Sequence, residues 1–257
     1  WALGLTARVI QPGETPESMI GKLVKRLGLP TVRTATRQAM RVLGNHFVLG
    51  ETIGDALSRA GSGERRLQRY SFDMLGEAAL TAGDAEKYLT DYRQAIERVG
   101  AEPQVGPGPR PSISIKLSAL HPRYEAVSRD RVMAELVPVL LGLARAANSY
   151  DLNFTVDAEE ADRLELSLEV IAAVLSDPSL AGWDGFGLAI QAYQKRAVAV
   201  VDWIGALAEH HDRRLMVRLV KGAYWDTEIK RAQERGLADY PLFTRKAATD
   251  LSYLACA

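Results

Sequence analysis

Two basic side chains lie next to or inside runs of residues that otherwise have the apolar composition of buried β-strands. Lys116 follows Ser112-Ile-Ser-Ile115, and Arg218 lies within Leu215-Met-Val-Arg-Leu-Val220. An isolated buried charge is unfavourable, so each cation must be paired or must serve a ligand. The acidic residues Glu77 and Asp157, which end other strand-like runs, are plausible partners for Lys116.

Amide, aromatic and acidic side chains follow the remaining strand-like runs. Gln191 ends the fourth run, and Trp225 follows the fifth. Chemistry in barrel enzymes lies at the carboxyl ends of the strands, where cations, amides and aromatics together suit an anionic, partly aromatic ligand such as a nucleotide cofactor. Taken singly, these residues also have structural interpretations. Lys116 and Arg218 could form structural ion pairs, Gln191 and Trp225 could serve ordinary packing, and the acids of 157–160 could favour a helix N-terminus.

Other catalytic and binding patterns are not found in the sequence. No G-x-G-x-x-G follows a strand-like run, and there is no Walker-type phosphate loop. No Ser-His-Asp or nucleophile-elbow arrangement occurs. The histidines lack metal-ligand spacing, so no metal site is predicted. They are His46, His121, His210 and His211.

Composition indicates a cytoplasmic globular protein. The 257 residues include 32 Lys plus Arg and 32 Asp plus Glu, a balance without an electrostatic footprint for nucleic acid or an anionic membrane. The single cysteine, Cys256, excludes a disulfide framework. The most apolar stretch, 132–147, contains Glu135 and Arg145 and is expected to be too short and too charged to cross a bilayer. Because Trp1 is first and no signal-peptide pattern follows, we expect the sequence to be cut from a longer protein.

Hydrophobic periodicity predicts a helical N-terminal arm and then alternating strands and helices. The arm covers 15–70, with breaks at Gly28–Pro30, Gly44–Asn45 and Gly61–Gly63. The apolar runs that follow are typical of parallel strands buried on both faces. These runs are Tyr70–Leu75, Ser112–Leu117, Asn153–Val156, Phe186–Ile190 and Leu215–Val220. An amphipathic helix is predicted after each run, and the resulting βα units fit either a barrel or a doubly wound sheet.

Long stretches at these strand ends carry a specific family resemblance. They are Tyr70–Leu80, Ser114–Tyr124, Asp157–Glu165, Ile190–Arg196, Arg218–Asp226 and Tyr240–Ala257. Together they resemble the proline dehydrogenase domain of the bacterial proline utilization A (PutA) flavoenzymes over roughly residues 65–257. Residues 1–60 are similar, less distinctively, to the helical arm before that family's barrel.

The resemblance implies an α/β fold, a distorted (βα)8 TIM-type barrel that holds FAD at its C-terminal face. It implies oxidation of L-proline to Δ1-pyrroline-5-carboxylate, the first step of proline catabolism, by hydride transfer from proline C5 to flavin N5. We expect the arm to occupy residues 1–64 and the first five of eight βα units to occupy residues 65–257. The C-terminal strands and last helix of the family's barrel are expected to lie outside this sequence.

The resemblance also assigns roles to residues. The expected catalytic residues are Lys116, Arg218, Tyr224, Asp157 and Glu77. The expected FAD-binding residues are Asp157, Gln191, Arg218, Val220, Lys221, Gly222, Ala223, Tyr224, Trp225, Thr244, Arg245 and Lys246. Among them, Lys116 is expected to bind the proline carboxylate, Arg218 to lie beside flavin N5, and Trp225 to stack on the adenine.

Partners follow from the same resemblance. They are L-proline, a quinone that accepts electrons, and a covalent continuation with the rest of the barrel and an aldehyde dehydrogenase domain. No nucleic acid is expected on this region, and the location is expected to be cytoplasmic with at most peripheral contact with the inner membrane. Two other hypotheses remain open. One is a Schiff-base aldolase with Lys116 or Lys221 as nucleophile; the other is an inactive barrel fragment that needs a complementing segment.

Overall fold

The computed structural model describes residues 28–76, 78–103 and 110–257. The chain divides into two compact units between Arg65 and Arg66. The assignment of residues 1–64 and 65–257 to an arm and a barrel domain stays a prediction.

The described part of the first unit is helical. Helix α1 spans Leu29–Phe47 and has a proline in its first turn, where the missing N–H is not needed. Helix α2 spans Ile53–Ala60, and the side chain of Thr52 caps it by accepting the N–H of Asp55. The predicted break at Gly44–Asn45 is wrong because α1 continues through both residues. A single helical glycine costs only about 1 kcal/mol relative to alanine, which a long helix tolerates. Residues 15–27 of the predicted arm lie outside the described residues.

The second unit alternates strands and helices, as the periodicity predicts. Its strands are β1 Ser71–Asp73, β2 Ser112–Ile115, β3 Asn153–Val156, β4 Phe186–Gln191 and β5 Met216–Val220. Its helices are α3 Ala82–Gly100, α4 Leu117–Leu120, α5 Arg129–Ser149, α6 Leu164–Leu175, α7 Ala197–His210, α8 Trp225–Glu234 and α9 Lys246–Cys256.

The five strands form one parallel sheet in the order β1-β2-β3-β4-β5. Each strand therefore pairs with its neighbours in sequence, and a helix returns the chain each time. A doubly wound sheet reverses its strand order at a switch point, which this sheet does not do over the described strands. The order decides between the two predicted architectures in favour of a (βα)8-type barrel.

A side-chain contact shows that the sheet curls strongly. Arg218 on β5 donates a hydrogen bond to the hydroxyl of Ser71 on β1 at 3.1 Å. Four inter-strand steps would separate these strands by about 19 Å in a flat sheet, beyond the reach of an arginine. The two strands must therefore face each other across a barrel-like interior.

The core between the sheet and its outer helices is built from apolar stripes. On α5 the fully buried positions Val132, Leu136, Leu140 and Leu143 recur at helical spacing. In the sheet, Phe154 pairs in register with Phe186, and their ring centroids lie 5.8 Å apart. Both rings are fully buried, as expected of strands covered on both faces.

The helical segment Ala126–Ser149 is, by length and composition alone, long and apolar enough to cross a membrane. It is longer than the apolar stretch 132–147, which was expected to be too short, as well as too charged, to cross a bilayer. Core helices of soluble proteins meet the same criterion, and in this structure the segment includes the buried stripe of α5.

We expect Phe154→Ala to lower the free energy of unfolding by about 3–5 kcal/mol, because it leaves a cavity beside Phe186. Urea denaturation measures the change. The control is Leu251→Ala on α9, a position that is 70% exposed and should change stability little. Equal effects of the two substitutions would contradict the placement of Phe154 in the core.

Candidate active site

Two cations meet one buried carboxylate at the C-terminal end of the sheet. Lys116 directly follows β2, Asp157 directly follows β3, and Arg218 lies near the end of β5. The Lys116 Nζ lies 3.1 Å from one carboxylate oxygen of Asp157, and the Arg218 Nη1 lies 2.9 Å from the other. The predicted pairing of Lys116 with Asp157 is confirmed, and Asp157 also bridges to Arg218.

A second carboxylate partner of Lys116 comes from β1. The Nζ lies 3.1 Å and 3.4 Å from the two oxygens of Asp73, the last residue of that strand. Sequence reasoning missed this pairing, although Asp73 stands at a strand end as Asp157 does. The other predicted partner, Glu77, lies outside the described residues.

Two serine hydroxyls hold the other side of the Arg218 guanidinium. Its Nη2 donates to Ser71 Oγ and to Ser114 Oγ, and the two hydroxyl oxygens lie 3.1 Å apart. Ser71 lies on β1 and Ser114 lies on β2, at the opposite end of the strand order from β5. Their small side chains provide acceptors while leaving space for the guanidinium. The sequence pattern contains no signal that would link these strands to Arg218.

Burial and charge act in opposite directions on Asp157. Burial raises the pKa of this carboxyl above its ordinary value, and nearby Asp73 raises it further, whereas Lys116 and Arg218 lower it. The side chains of Lys116 and Arg218 are 21% and 35% exposed, so the cluster is partly open to solvent. Lys116 also lines a cleft of about 710 Å³ together with Tyr224. Lys116 therefore borders a cleft large enough for a small molecule.

The side-chain amide of Gln191 joins two backbone segments at the C-terminal end of the sheet. It is buried, its Nε2 donates to the carbonyl of Glu159 at 2.7 Å, and its Oε1 accepts the N–H of Ala223 at 3.1 Å. Both ends of the amide thus join backbone segments. Contact of Gln191 with a flavin stays a prediction; the second Nε2 hydrogen or the second lone pair of Oε1 would make it.

The loop after β5 is packed on the ring of Tyr193. Gly222 has φ +136°, and a Cβ there would lie 2.5 Å from that ring, so only glycine fits. The backbone N–H of Tyr224 donates to the Tyr193 hydroxyl at 3.2 Å, and the N–H of Tyr193 donates to the carbonyl of Lys221 at 2.8 Å. Burial raises the pKa of Tyr224. Tyr193 lies within the resembling stretch Ile190–Arg196, but its supporting role was not predicted from the sequence.

A second group of predicted residues lies around the start of α9. Lys221 and Lys246 share Asp250, at 2.5 Å and 2.6 Å from its two oxygens, and Asp250 raises the pKa of Lys221. The Trp225 indole is 41% exposed and donates to the carbonyl of Phe243 at 3.1 Å, next to Thr244 and Arg245. Lys221 and Lys246 thus meet at Asp250, and Trp225 contacts the segment that leads through Thr244 and Arg245 into α9. Val220 ends β5 directly before Lys221.

Comparisons with known proteins identify the family of the chain. The family model described as proline dehydrogenase matches residues 56–257. The chain belongs to the proline dehydrogenase family. This confirms the resemblance stated above. A second family model, described as the DNA-binding domain of proline dehydrogenase, matches residues 1–47. The expectation that this region binds no nucleic acid stays a prediction.

Several curated proteins are similar to the whole chain. The bifunctional protein PutA of Klebsiella aerogenes is 52% identical over 260 residues, which are 100% of this chain and 20% of that protein. That of Rhizobium meliloti is 48% identical over 99% of this chain and 21% of its own length. The proline dehydrogenase of Deinococcus radiodurans is 28% identical over 76% of this chain and 57% of that protein. The chain thus spans about a fifth of the PutA proteins it matches.

Solved structures share the fold. A crystal structure of a Bradyrhizobium japonicum proline utilization A mutant is 71% identical, with a TM-score of 0.79 over 96% of this chain and 25% of that one. The Bdellovibrio bacteriovorus proline utilization A inactivated by N-propargylglycine is 25% identical, with a TM-score of 0.84 over 95% of this chain and 26% of that one.

We expect Gly222→Ala to destabilise the protein by about 1–3 kcal/mol, because the new methyl group would meet the Tyr193 ring at an unfavourable backbone angle. Urea denaturation measures the effect. Gly205→Ala is the control, since nothing lies within 4 Å of the added Cβ on α7, and alanine should be neutral or stabilising there. An unchanged midpoint for Gly222→Ala would contradict the close packing of this loop.

Proposed function

We propose that this chain supplies the proline- and FAD-binding part of an L-proline dehydrogenase, which oxidises proline to Δ1-pyrroline-5-carboxylate. The observation that carries the proposal is the pair of cations held by Asp157 at the C-terminal end of the sheet. The family membership and the family's printed name support it.

The cleft beside Lys116 suits the substrate. Proline is a zwitterion, so its site needs a cation for the carboxylate. Lys116 offers an ammonium that Asp73 and Asp157 hold at the edge of the cleft. The Tyr224 ring lines the same cleft and supplies an apolar wall for the pyrrolidine ring. We therefore assign carboxylate binding to Lys116 and shape selection to Tyr224.

The residues around the start of α9 fit a dinucleotide cofactor. Trp225 is exposed yet fixed by its hydrogen bond to Phe243, so it offers a planar surface for an adenine. Arg245 and Lys246 stand at the first turn of α9, where no side chain among the described residues caps the helix, and phosphate groups favour such helix starts. When bound, FAD would supply the two-electron oxidation of proline, with C5 of proline giving a hydride to N5.

The cluster around Arg218 would favour that chemistry. A fixed guanidinium stabilises negative charge that develops nearby, and Ser71 and Ser114 keep this group oriented without neutralising it. Asp157 orients both cations and prevents them from repelling each other directly. We assign Arg218 to the flavin edge and Asp157 to holding it and Lys116 in place.

The aldolase hypothesis fits the geometry less well. A Schiff-base lysine must react as a neutral amine. Lys116 lies within hydrogen-bonding distance of two carboxylates, which stabilise its ammonium form. Asp250 raises the pKa of Lys221, with the same effect on that residue.

We further propose that a quinone accepts the electrons and that the protein is cytoplasmic with at most peripheral membrane contact. The relatives, being much longer than this chain, support a covalent continuation that completes the barrel.

The direct test is the visible spectrum of the purified chain before and after anaerobic addition of proline, together with its intact mass. Flavin bands that bleach with proline are the expected result. A protein that is colourless, and stays so after incubation with FAD, would instead support the alternative of an inactive barrel fragment. Borohydride trapping of a carbonyl substrate on a lysine would support the aldolase.

Lys116→Ala should raise the KM for proline at least tenfold while FAD binding changes little, because the substrate carboxylate loses its cation. Steady-state kinetics and flavin titration measure the two effects. Lys230→Ala on α8 is the control, since that side chain is 75% exposed. A parallel loss of FAD would show that Lys116 acts only as a structural ion pair.

Arg218→Met should preserve the fold but make the flavin harder to reduce and slow proline oxidation, because a positive charge beside the reduced flavin is lost. Potentiometric titration gives the flavin potential, and circular dichroism reports the fold. Arg129→Met, which removes an exposed arginine paired with Glu169, is the control. An unaltered flavin reduction potential would contradict the assignment of Arg218 to the flavin edge.

A further inference from the structure

Hydrogen bonds join the loops after all five strands in one continuous series across the C-terminal face. The N–H of Ala79 donates to the carbonyl of Ser118 at 3.0 Å, and the N–H of Ser118 donates to the Glu159 carboxylate at 2.9 Å. The Glu159 carbonyl accepts from Gln191 Nε2 at 2.7 Å, and Gln191 Oε1 accepts from the N–H of Ala223 at 3.1 Å. We call these five residues the loop series.

Glu159 is the middle of the loop series and is bonded on both sides. Its side chain bonds the turn that carries Lys116, and its backbone carbonyl bonds, through Gln191, the loop that carries Tyr224. We propose that Glu159 is a positioning residue that sets the distance between Lys116 and Tyr224 across the proline-binding cleft. This inference rests on the proposed function, since it concerns the same cleft.

The bond to Ser118 replaces a missing helix cap. Lys116 is the N-cap residue of α4, and no side-chain cap is made from that position. Ser118 is the second residue of α4, so its N–H has no partner within the helix. The Glu159 carboxylate accepts it from a different loop. Removing this acceptor frees the turn that holds the backbone of Lys116.

The negative charge of Glu159 is compensated by an ion pair with a residue outside the loop series. Its side chain is only 5% exposed, and its second carboxylate oxygen lies 2.7 Å from Arg163. The Arg163 guanidinium also lies over the ring of Tyr124, 5.4 Å from its centroid. The ion pair with Arg163 makes burial of the carboxylate possible. The hydrogen bond to Ser118 is the contact that connects Glu159 to the turn beside the cleft.

Glu160 is a matched control in the adjacent position. Its carboxylate lies 3.1 Å from the same Arg163 and 4.0 Å from Arg231. Within the described ranges, however, it accepts no backbone N–H from the other loops. Loss of Glu160 therefore removes an ion pair of Arg163 while leaving the loop series intact.

The experiment compares Glu159→Ala, Glu159→Gln and Glu160→Ala in the full chain. Amide hydrogen exchange, read by mass spectrometry on peptides that contain Ser118 and Ala223, requires no activity. We expect Glu159→Ala to speed exchange at the Ser118 peptide at least tenfold and at the Ala223 peptide less, because alanine keeps the backbone carbonyl that Gln191 contacts. Glu159→Gln should have a smaller effect because its amide oxygen still accepts, and Glu160→Ala should match the wild type. In proline kinetics, Glu159→Ala should lower kcat/KM about 10- to 100-fold, mostly through KM, with rescue by Glu159→Gln.

The other possible results overturn either this proposal or the proposed function. Equal exchange and equal kinetics in Glu159→Ala and Glu160→Ala would overturn the proposal, as would faster exchange with unchanged proline kinetics. If Glu159→Ala does not fold, Glu159→Met against Glu160→Met decides, because a thioether is a far weaker acceptor than a carboxylate for the Ser118 N–H; identical kinetics in that pair would also overturn the proposal. A wild type that binds flavin but does not oxidise proline would instead overturn the proposed function, and the exchange data alone would then decide whether Glu159 joins the loops.

Discussion

The site depends on one carboxylate that lies between two cations. Lys116 and Arg218 project from different strands into the interior of a curled parallel sheet, where unpaired charges are unfavourable and like charges repel. Asp157 gives one oxygen to each, so that both cations face the C-terminal end of the sheet without an uncompensated charge. Loss of one partner would leave buried charge behind, which is commonly more damaging than the absence of the whole cluster.

The curl of the sheet supplies the other contacts of the cluster. Because β5 faces β1 across the interior, Arg218 reaches the hydroxyls of Ser71 and Ser114. Lys116 reaches Asp73 from the neighbouring strand, since β1 and β2 pair directly. These strands are far apart in the sequence and come together only through the sequential strand order. The same geometry brings five loops to one face, where backbone and side-chain hydrogen bonds fix them relative to one another.

The features that could be predicted from the sequence are those that leave a pattern among residues close together in the chain. Apolar runs predicted the five strands of the described sheet. The signal is most continuous in β2, β3 and β4, which are buried at nearly every position, whereas β1 and β5 are more exposed. The pairing of Lys116 with Asp157 followed from the rule that buried charges need partners. The roles of Ser71, Ser114 and Glu159 could not be found in this way, because they depend on which strands face each other and on backbone atoms that accept or donate. The break predicted at Gly44–Asn45 failed because a helix tolerates one glycine where local propensity alone disfavours it.

The structural and ligand-binding interpretations of Lys116 and Arg218, which the sequence left open, are compatible. An ion pair that served stability alone would be best placed where solvent and ligands are excluded. Here Asp157 is buried, whereas the side chains of Lys116 and Arg218 remain 21% and 35% exposed and the ammonium borders a cleft. Asp157 thus fixes both cations, Asp73 and the two serines add further contacts, and each cationic side chain still keeps part of its surface accessible. An arrangement of this kind keeps a cation oriented before a substrate carboxylate arrives, so that less conformational freedom is lost on binding.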